Sequence, residues 1–393
     1  MKTYYTNARL LLEDEIRPGN VEVTQGRISA FDPQTFDSEP IDCQGKLLTS
    51  GLVDSYVWAF SEASCIAGGI TQACLMPTVP PRTTISHSKT RPRILPRILL
   101  HRFGAATRNL EGREIAEFIT DEPCVGYATG RGAIPDSLVM FRLLQYATLF
   151  ETVILSHAED PYLTADCCAT DGPIATGLGL PSAPAIAECL MVMRDLLLAE
   201  QTGARIHFPQ ITCADSIAAI RSAKARGVQV TCGVTPAHFL LNDSAIIGYR
   251  TYARLSPPLR SEDDRLAVIE GLKDGTIDVI SSGHDPRSQE DKRLPFAQAR
   301  PGMTACEILL PLALTLVHDG HLTLLQLMDK LTVNPQQIFS LPKTRLAIGK
   351  RLTPVLIDEQ KPWKIEADKF ADPARNTPFD DFPVMGKAET LQP

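Results

Sequence analysis

The feature that most constrains the fold is a series of short apolar, strand-like runs that alternates with segments of helical periodicity from Leu52 onward. Such alternation is typical of βα units around a parallel sheet. The helical segments include Pro184–Ala199, which is broadly apolar, and Ser261–Lys273, which ends at Asp274-Gly275. Eight strand–helix units predict a (β/α)8 TIM-like barrel. The eight runs are Leu52–Trp58, Thr71–Met76, Leu99–Ala106, Cys124–Ala128, Thr152–His157, Arg205–Ile211, Val228–Val234 and Asp278–Ser282.

The two ends of the chain have a different pattern, with short strand-like pieces and no helical periodicity. These pieces are Tyr4–Leu12, Asn20–Ala30, Gln44–Leu48, Leu352–Asp358 and Trp363–Glu366. A chain of 393 residues is long enough for a second unit, because single cores stop growing near about 250 to 300 residues. We therefore expect a small β-sandwich domain formed by residues 1–50 and 345–393, beside a barrel of residues 51–344.

Composition excludes several classes of protein. A formal net charge of -7 and 22% charged residues do not indicate a nucleic-acid binder. No segment has the apolar length of a membrane span, and MKTYYTNARLLLEDEI lacks a secretory signal, so we expect a cytoplasmic protein. Ten cysteines without a CxxC motif predict reduced thiols and neither a disulfide framework nor a zinc knuckle.

One proline-rich segment, Pro77–Arg97, carries five basic residues and no acid. Its proline content predicts a loop. The segment is either a solvated surface connection or a docking site for an acidic partner surface.

Several long motifs resemble those of the dihydroorotases, which belong to the amidohydrolase superfamily. The matches follow the family's order over nearly the whole chain and include ILSHAED (Ile154–Asp160), GLGLPSAPAIAE (Gly177–Glu188), SPPLRSEDD (Ser256–Asp264) and KDGTIDVISSGHDP (Lys273–Pro286). The resemblance implies an amidohydrolase-type barrel with a β-sandwich domain and zinc at the C-terminal mouth of the barrel. It also implies an enzyme that opens or closes the ring of dihydroorotate with a metal-bound hydroxide.

The family's metal-ligand positions carry other residues in this chain. A divalent metal needs several imidazole or carboxylate donors, which indole, glycine and carboxamide side chains do not supply. Of the expected ligands His157 alone is retained, so we expect no metal, no cofactor and no catalytic residue at the mouth. The replaced ligand positions are Tyr56 and Trp58 for the first histidine pair, Gly130 for the bridging carboxylate, Gln210 for a histidine and Gly283 for the aspartate.

The positions that hold the substrate in the family are also replaced, by Phe60, Thr78 and Ser256, so no arginine clamp for an anionic ring is expected. Asp285 lies two residues past Gly283, about 6 to 7 Å along a strand, which is too far to restore the lost carboxylate. Strand alternation turns Tyr56 and Trp58 toward the old metal pocket. There they either plug the mouth or form an aromatic platform for another ligand.

Four histidines, His157, His207, His238 and His284, are interpreted as hydrogen-bonded barrel residues. These observations predict an inactive dihydroorotase homologue that serves as a non-catalytic structural or regulatory subunit of aspartate carbamoyltransferase, with homo-oligomer formation left open. The alternative is a cyclic-amide hydrolase of dihydroorotase type that works without the usual binuclear metal site. A third hypothesis is a ligand-sensing module that uses the altered pocket.

Overall fold

A computed structural model describes residues 2–78, 93–94, 97–118 and 123–391 of the chain. Most of the proline-rich segment Pro77–Arg97 lies outside these residues, so its interpretation as a loop or docking site stays a prediction. Within the described ranges no helix is long and apolar enough to cross a membrane.

The centre of the molecule is a barrel of parallel strands that occupy the positions of the predicted runs. Phe103 N donates to Leu75 O at 3.0 Å and Gly104 N to Gly126 O at 2.9 Å, which joins the first strands to the later ones. Trp58 N donates to His284 O at 2.8 Å, which closes the ring. The barrel strands are β6 (Leu52–Val57), β7 (Ile70–Leu75), β9 (Leu99–Arg102), β10 (Gly104–Ala105), β11 (Tyr127–Ala128), β12 (Val153–Leu155), β15 (Arg205–Phe208), β16 (Val230–Val234) and β17 (Val279–Ile280).

Helices follow most of these strands and cover the barrel, as the βα pattern predicts. The buried sides of the longer helices pack on the strands in one continuous apolar core. The helices are α1 (Glu62–Ala67), α2 (Ser137–Leu149), α3 (Pro173–Leu178), α4 (Ile186–Thr202), α5 (Ala214–Ala225), α6 (Pro236–Leu240), α7 (Glu262–Lys273), α8 (Gln289–Arg293), α9 (Leu309–His318), α10 (Leu324–Leu331) and α11 (Val333–Ile338). This architecture confirms the predicted fold class.

A second sheet combines strands from both ends of the chain in the order β19-β18-β5-β1-β2-β3, with β4 beside β1. Strand β19 was not predicted, because only alternate residues of PVMGKAET are buried and few of them are strongly apolar. The two predicted strands after position 352 merge into β18. The bounds of this sheet are β1 (Lys2–Leu11), β2 (Ile16–Thr24), β3 (Arg27–Phe31), β4 (Ile41–Asp42), β5 (Leu47–Thr49), β18 (Val355–Lys364) and β19 (Pro383–Thr390).

Short strands also pair beside the barrel. β8 (Arg93–Ile94) runs antiparallel beside β9, and β13 (Ala169–Thr170) pairs in parallel with β14 (Ser182–Ala183). The terminal sheet agrees with a β-rich unit built from both termini, whereas the exact domain limits 1–50, 345–393 and 51–344 stay a prediction.

Candidate active site

The C-terminal mouth of the barrel is walled on one side by two aromatic rings. Tyr56 and Trp58 leave the end of β6 on the same side, are 2% and 8% exposed, and meet edge to face with ring centroids 5.6 Å apart. The buried carboxylate of Asp54 fixes this strand end, because its Oδ1 accepts from Ser282 N at 3.0 Å. Burial raises the pKa of the Asp54 carboxyl and that of the Tyr56 phenol.

Arg131 holds the next part of the mouth. Its guanidinium lies 3.8 Å from the centroid of the Trp58 ring and donates two hydrogen bonds to Asp285, at 2.6 and 2.9 Å. Arg287 donates to the same carboxylate at 2.6 Å. Asp285 therefore lies at the mouth, with both of its carboxylate oxygens engaged by arginines.

His157 follows β12 and forms the floor of the mouth. Its backbone N–H donates to Thr129 Oγ1 at 3.0 Å, and its Nε2 lies 3.0 Å from Glu159 Oε2. Ser256 Oγ donates to the same Glu159 oxygen at 3.5 Å. Within the described residues His157 Nδ1 has no hydrogen-bond partner, so one ring nitrogen stays free for a ligand.

A buried network behind Glu159 stabilises its charge. Arg260, which is 3% exposed, approaches Glu159 Oε1 and Glu188 Oε2 at 3.4 Å each and donates to Thr212 Oγ1 at 2.9 Å. Burial alone raises the pKa of Glu159. The hydrogen bond from His157 and the charges of His157 and Arg260 outweigh this, and the net pKa is lowered. Glu159 is therefore an anion at neutral pH.

The other barrel histidines are engaged in the framework. His238 places Nδ1 2.8 Å from Thr235 Oγ1 and Nε2 3.0 Å from Pro257 O, and burial lowers its pKa to about 4. His207 Nδ1 lies 2.8 Å from Thr231 Oγ1, and burial lowers its pKa to about 3. His284 Nδ1 accepts from Ala305 N at 3.1 Å, and its Nε2 lies 3.4 Å from Asp372.

Gln210 and Gly283 meet on the far side of the mouth. A Cβ added to Gly283 would lie 2.8 Å from Thr235 Cγ2 and 3.4 Å from Gln210 Nε2, and the backbone there has φ +63°. An aspartate at this position would therefore be strained and would collide with its neighbours. Gln210 Oε1 is buried, and the described part of the chain offers it no hydrogen-bond partner.

The remaining positions of interest are not brought together at the mouth. Gly130 has φ +91°, and a Cβ there would lie 3.2 Å from Leu110 Cδ1. Phe60 packs on the main apolar core. Thr78 does not line the cavities at the mouth that the described residues form.

The donor set does not fit the family's zinc. Indole and glycine offer no metal lone pair, His238 uses both ring nitrogens, and Asp285 is held by two arginines. His157 Nδ1 is then the one imidazole nitrogen available at the mouth, and the described residues contain no group of three or more potential ligands. A stable zinc site needs three or four donors.

Two adjoining cavities share His157 and Arg131. The inner one, between the Tyr56 and Trp58 rings and Gly283, encloses about 30 Å³, which is room for a water molecule but not for a ring. The outer one encloses about 290 Å³ and extends over Glu159, Thr164 and Cys168 to Arg254. The outer volume approaches the size of small-molecule sites.

A parallel barrel with its polar side chains at the C-terminal strand ends, joined to a sheet from both termini, is the architecture expected of the amidohydrolase class of proteins. The chain superimposes on the L-hydantoinase (dihydropyrimidinase) of Arthrobacter aurescens with a TM-score of 0.82 over 98% of this chain and 93% of that one. At 24% identity this likeness shows the fold alone.

Sequence relatives identify the family. The chain is 36% identical over 369 residues to the dihydroorotase of Syntrophus aciditrophicus (strain SB), covering 89% of this chain and 87% of the relative. It is 37% identical over 386 residues to the dihydroorotase of Pelotomaculum thermopropionicum (strain DSM 13744 / JCM 10971 / SI), covering 93% and 90%. No family model matches the chain. The chain belongs to the dihydroorotase family.

These relatives correct one prediction. The interpretation as an inactive, non-catalytic subunit of aspartate carbamoyltransferase is wrong, because several relatives at 32–37% identity are named dihydroorotase and point to an active enzyme. The physical reason is that the loss of metal-ligating side chains removes only one way of activating a water molecule. A general base can also activate water. The mouth still holds an imidazole hydrogen-bonded to a carboxylate, beside a guanidinium.

Sequence reasoning missed Glu159, Arg131 and Arg254 as site residues. Glu159 lies two residues after His157, on the same side of an extended chain, and that spacing was a usable signal. Arg131 directly follows Gly130, but the path of the loop that turns it onto Trp58 has no sequence signature.

Proposed function

We propose that this protein hydrolyses or closes cyclic amides of the dihydroorotate type with its own side chains and without the family's binuclear metal site. The observation that carries the proposal is the position of His157. His157 lines both a water-sized pocket and the larger outer cavity, and its Nε2 lies 3.0 Å from Glu159 Oε2.

In the ring-opening direction His157 Nδ1 acts as general base. It accepts a proton from a water in the inner pocket while the water oxygen bonds to the ring carbonyl carbon. The C–N bond then breaks, and the imidazolium returns the proton to the leaving nitrogen. Ring closure of a carbamoyl amino acid is the reverse of these steps.

Glu159 has the supporting role in this scheme. With Nε2–H donating to its carboxylate, the free nitrogen is Nδ1, and the anion stabilises the imidazolium that forms. The hydrogen bond from His157 and, to a smaller extent, the charge of Arg260 lower the pKa of Glu159, so Glu159 does not compete for the proton.

Two guanidinium groups bring positive charge to the outer cavity, beside the Glu159 carboxylate. Arg254 donates to the backbone carbonyls of Phe296 and Ala297 and pairs with no carboxylate in the described ranges. Arg131 shares Asp285 with Arg287, which leaves that cluster with a net positive charge. A ring that carries a carboxylate fits this field, and Arg131 is placed to stabilise negative charge on the carbonyl oxygen.

The expected rate is modest. A positioned general base contributes about 10² to 10⁴-fold, and one charged donor to an oxyanion about 10² to 10³-fold. Turnover should therefore be well above the uncatalysed reaction and well below that of a metal-dependent enzyme.

The test is the conversion of dihydroorotate and of carbamoyl aspartate by purified protein and by His157→Gln. Glutamine preserves a hydrogen bond to Glu159 but accepts no proton, so kcat should fall about 10²-fold or more. His321→Gln, which replaces a histidine outside the mouth, should retain activity.

Circular dichroism melts of both variants must match the original chain. Equal turnover by His157→Gln and the original chain would refute the proposal, and so would the absence of turnover in all three proteins.

Assembly and location are separate proposals. The sequence resemblance leads us to propose association with aspartate carbamoyltransferase in the cytoplasm, as a property independent of turnover. Co-purification of the two proteins from mixed extracts tests this, and separate elution at micromolar concentration would contradict it.

A further inference from the structure

The inner cavity at the barrel mouth is lined by a glutamine with an unsatisfied carboxamide. Gln210 lies just after β15 and is 8% exposed. Its Oε1 is fully buried and accepts no hydrogen bond from any residue that the structure describes. Buried polar atoms in proteins are paired either with the chain or with an ordered water, so a water molecule is the partner expected for this oxygen.

The same cavity has the size and the polar groups to hold that water. It encloses about 30 Å³, which is the space of one water molecule. His157 also lines the cavity, and its Nδ1 is the ring nitrogen that Glu159 leaves free. The hydroxyl of Thr235, by contrast, is engaged, because its Oγ1 lies 2.8 Å from His238 Nδ1. A water molecule has two O–H donors, and His157 Nδ1 and Gln210 Oε1 supply one acceptor for each.

We propose that Gln210 is a further catalytic residue, which orients the water molecule that His157 activates. The inference rests on the proposed function, because it concerns the nucleophile of that reaction. The last torsion of a glutamine side chain is broad, so a turn of the carboxamide presents Oε1 to the water without a change in the backbone. With both hydrogens held, the lone pairs of the water oxygen are left for the ring carbonyl carbon.

The two acceptors have different fates in the reaction. As the water oxygen bonds to the carbonyl carbon, the proton held by His157 passes to Nδ1, and the proton held by Gln210 stays on the new carboxyl group. The ring C–N bond then breaks, and the leaving nitrogen takes the proton from His157. A carboxamide accepts a hydrogen bond but does not take up the proton, so Gln210 does not compete with His157 as the base.

The tight fit around the water also selects the nucleophile. A cavity of about 30 Å³ has no room for a nucleophile with two heavy atoms, such as hydroxylamine. Gln210 therefore has a second role in this proposal, because its side chain fills the space that a larger nucleophile needs.

The first experiment compares steady-state hydrolysis of dihydroorotate by the original chain and by Gln210→Met. Methionine has nearly the same length and no carboxamide, so kcat should fall about 10-fold or more while KM stays the same, as expected when a reacting group is misoriented. Gln145→Met is the matched control, because Gln145 is an exposed glutamine on α2 and should leave kcat unchanged. Circular dichroism melts of both variants should match the original chain.

The second experiment offers hydroxylamine as a competing nucleophile to Gln210→Ala, which enlarges the cavity. The hydroxylamine nitrogen bonds to the ring carbonyl carbon, the ring C–N bond breaks, and the proton that hydroxylamine loses passes through His157 to the leaving nitrogen. The product is a hydroxamate, which iron(III) colours. After subtraction of the uncatalysed reaction, the ratio of hydroxamate formation to hydrolysis should rise about tenfold or more over the original chain.

The outcomes separate this inference from the proposed function. If His157→Gln loses turnover while Gln210→Met keeps the original kcat, the role of Gln210 is refuted and the proposed function stands. An unchanged hydroxamate ratio in Gln210→Ala would refute the selection of water. Absence of turnover in the original chain would refute both the proposed function and this inference.

Discussion

Two charged networks lie at the same end of the barrel and differ in their exposure to water. The inner network joins Glu159, Arg260 and Glu188, and its arginine side chain is 3% exposed. The outer network joins Arg131, Asp285 and the Trp58 ring, and its arginine side chain is 45% exposed. The inner network holds His157 in place, and the outer one lines the same cavity as Tyr56 and Gly283, two positions at which the sequence resemblance implies a metal ligand.

The difference shows which changes this fold tolerates. A buried charge without its partner costs several kcal/mol, so the inner network is an all-or-none assembly. Water solvates Arg131 of the outer network, and the buried Asp285 also pairs with Arg287, so Arg131 can be exchanged at little cost to folding. The mouth can therefore change its chemistry while the scaffold beneath it stays intact.

The largest expected effect comes from removing the buried cation. Arg260→Met leaves Glu159 and Glu188 as unpaired buried carboxylates, so the free energy of unfolding should fall by about 3 to 5 kcal/mol. Urea denaturation of the two proteins measures this difference. The matched control is Arg221→Met, because Arg221 and its partner Asp274 have side chains 48% and 41% exposed. This exposed pair should contribute no more than about 1 kcal/mol. Equal losses in the two variants would remove the distinction between buried and exposed networks.

The second-largest expected effect is the destabilisation of the folded barrel by acid. Burial lowers the pKa of His207 to about 3 and that of His238 to about 4, from a usual value of 6.5. Between pH 6.5 and 4 the unfolded chain binds more protons than the folded one, so stability is present at neutral pH and lost on acidification. At pH 5 each histidine should lower the free energy of unfolding by about 2 kcal/mol.

His238→Gln isolates one of these contributions. The free energy of unfolding should fall less between pH 7 and pH 5 in this variant than in the original chain. The difference should equal the contribution of one histidine, about 2 kcal/mol. An identical pH dependence in both proteins would mean that His238 is not held neutral by burial.

The smallest expected effect on stability comes from a substitution at the mouth of the barrel. Arg131→Gln removes a half-exposed cation from Trp58 and Asp285, and the free energy of unfolding should change by no more than about 1 kcal/mol. Turnover should fall far more, by about 10² to 10³-fold, if Arg131 stabilises the oxyanion. Parallel melts and assays of one preparation test the contrast. A large loss of stability would place Arg131 in the scaffold.

Most of the scaffold could be predicted from the sequence, because hydrophobic runs such as Leu52–Trp58 have to be buried and the βα alternation leaves few topologies. Strand lengths were less accurate. The run Cys124–Ala128 contributes Tyr127–Ala128 to the sheet, since pairing depends on tertiary geometry that periodicity does not contain. Strand β19 was not predicted because its extended conformation depends on antiparallel pairing with β18, which the local sequence does not indicate.

The site was predicted only in part. Strand alternation placed Tyr56 and Trp58 on one side, and the rings do meet at the mouth. Arg131 and Arg254 come from loops whose path is set by packing, so no local pattern indicated them. The prediction of an inactive protein was wrong because it considered metal ligands as the only groups that could activate water.

The most direct test of the account is the dependence of turnover on metal. Dihydroorotate conversion would be measured after exhaustive chelation and again after zinc is added back, with His157→Gln from the same purification as background. The account predicts an equal His157-dependent rate in both conditions and less than stoichiometric zinc in the protein. Turnover that disappears on chelation and returns with zinc would contradict it.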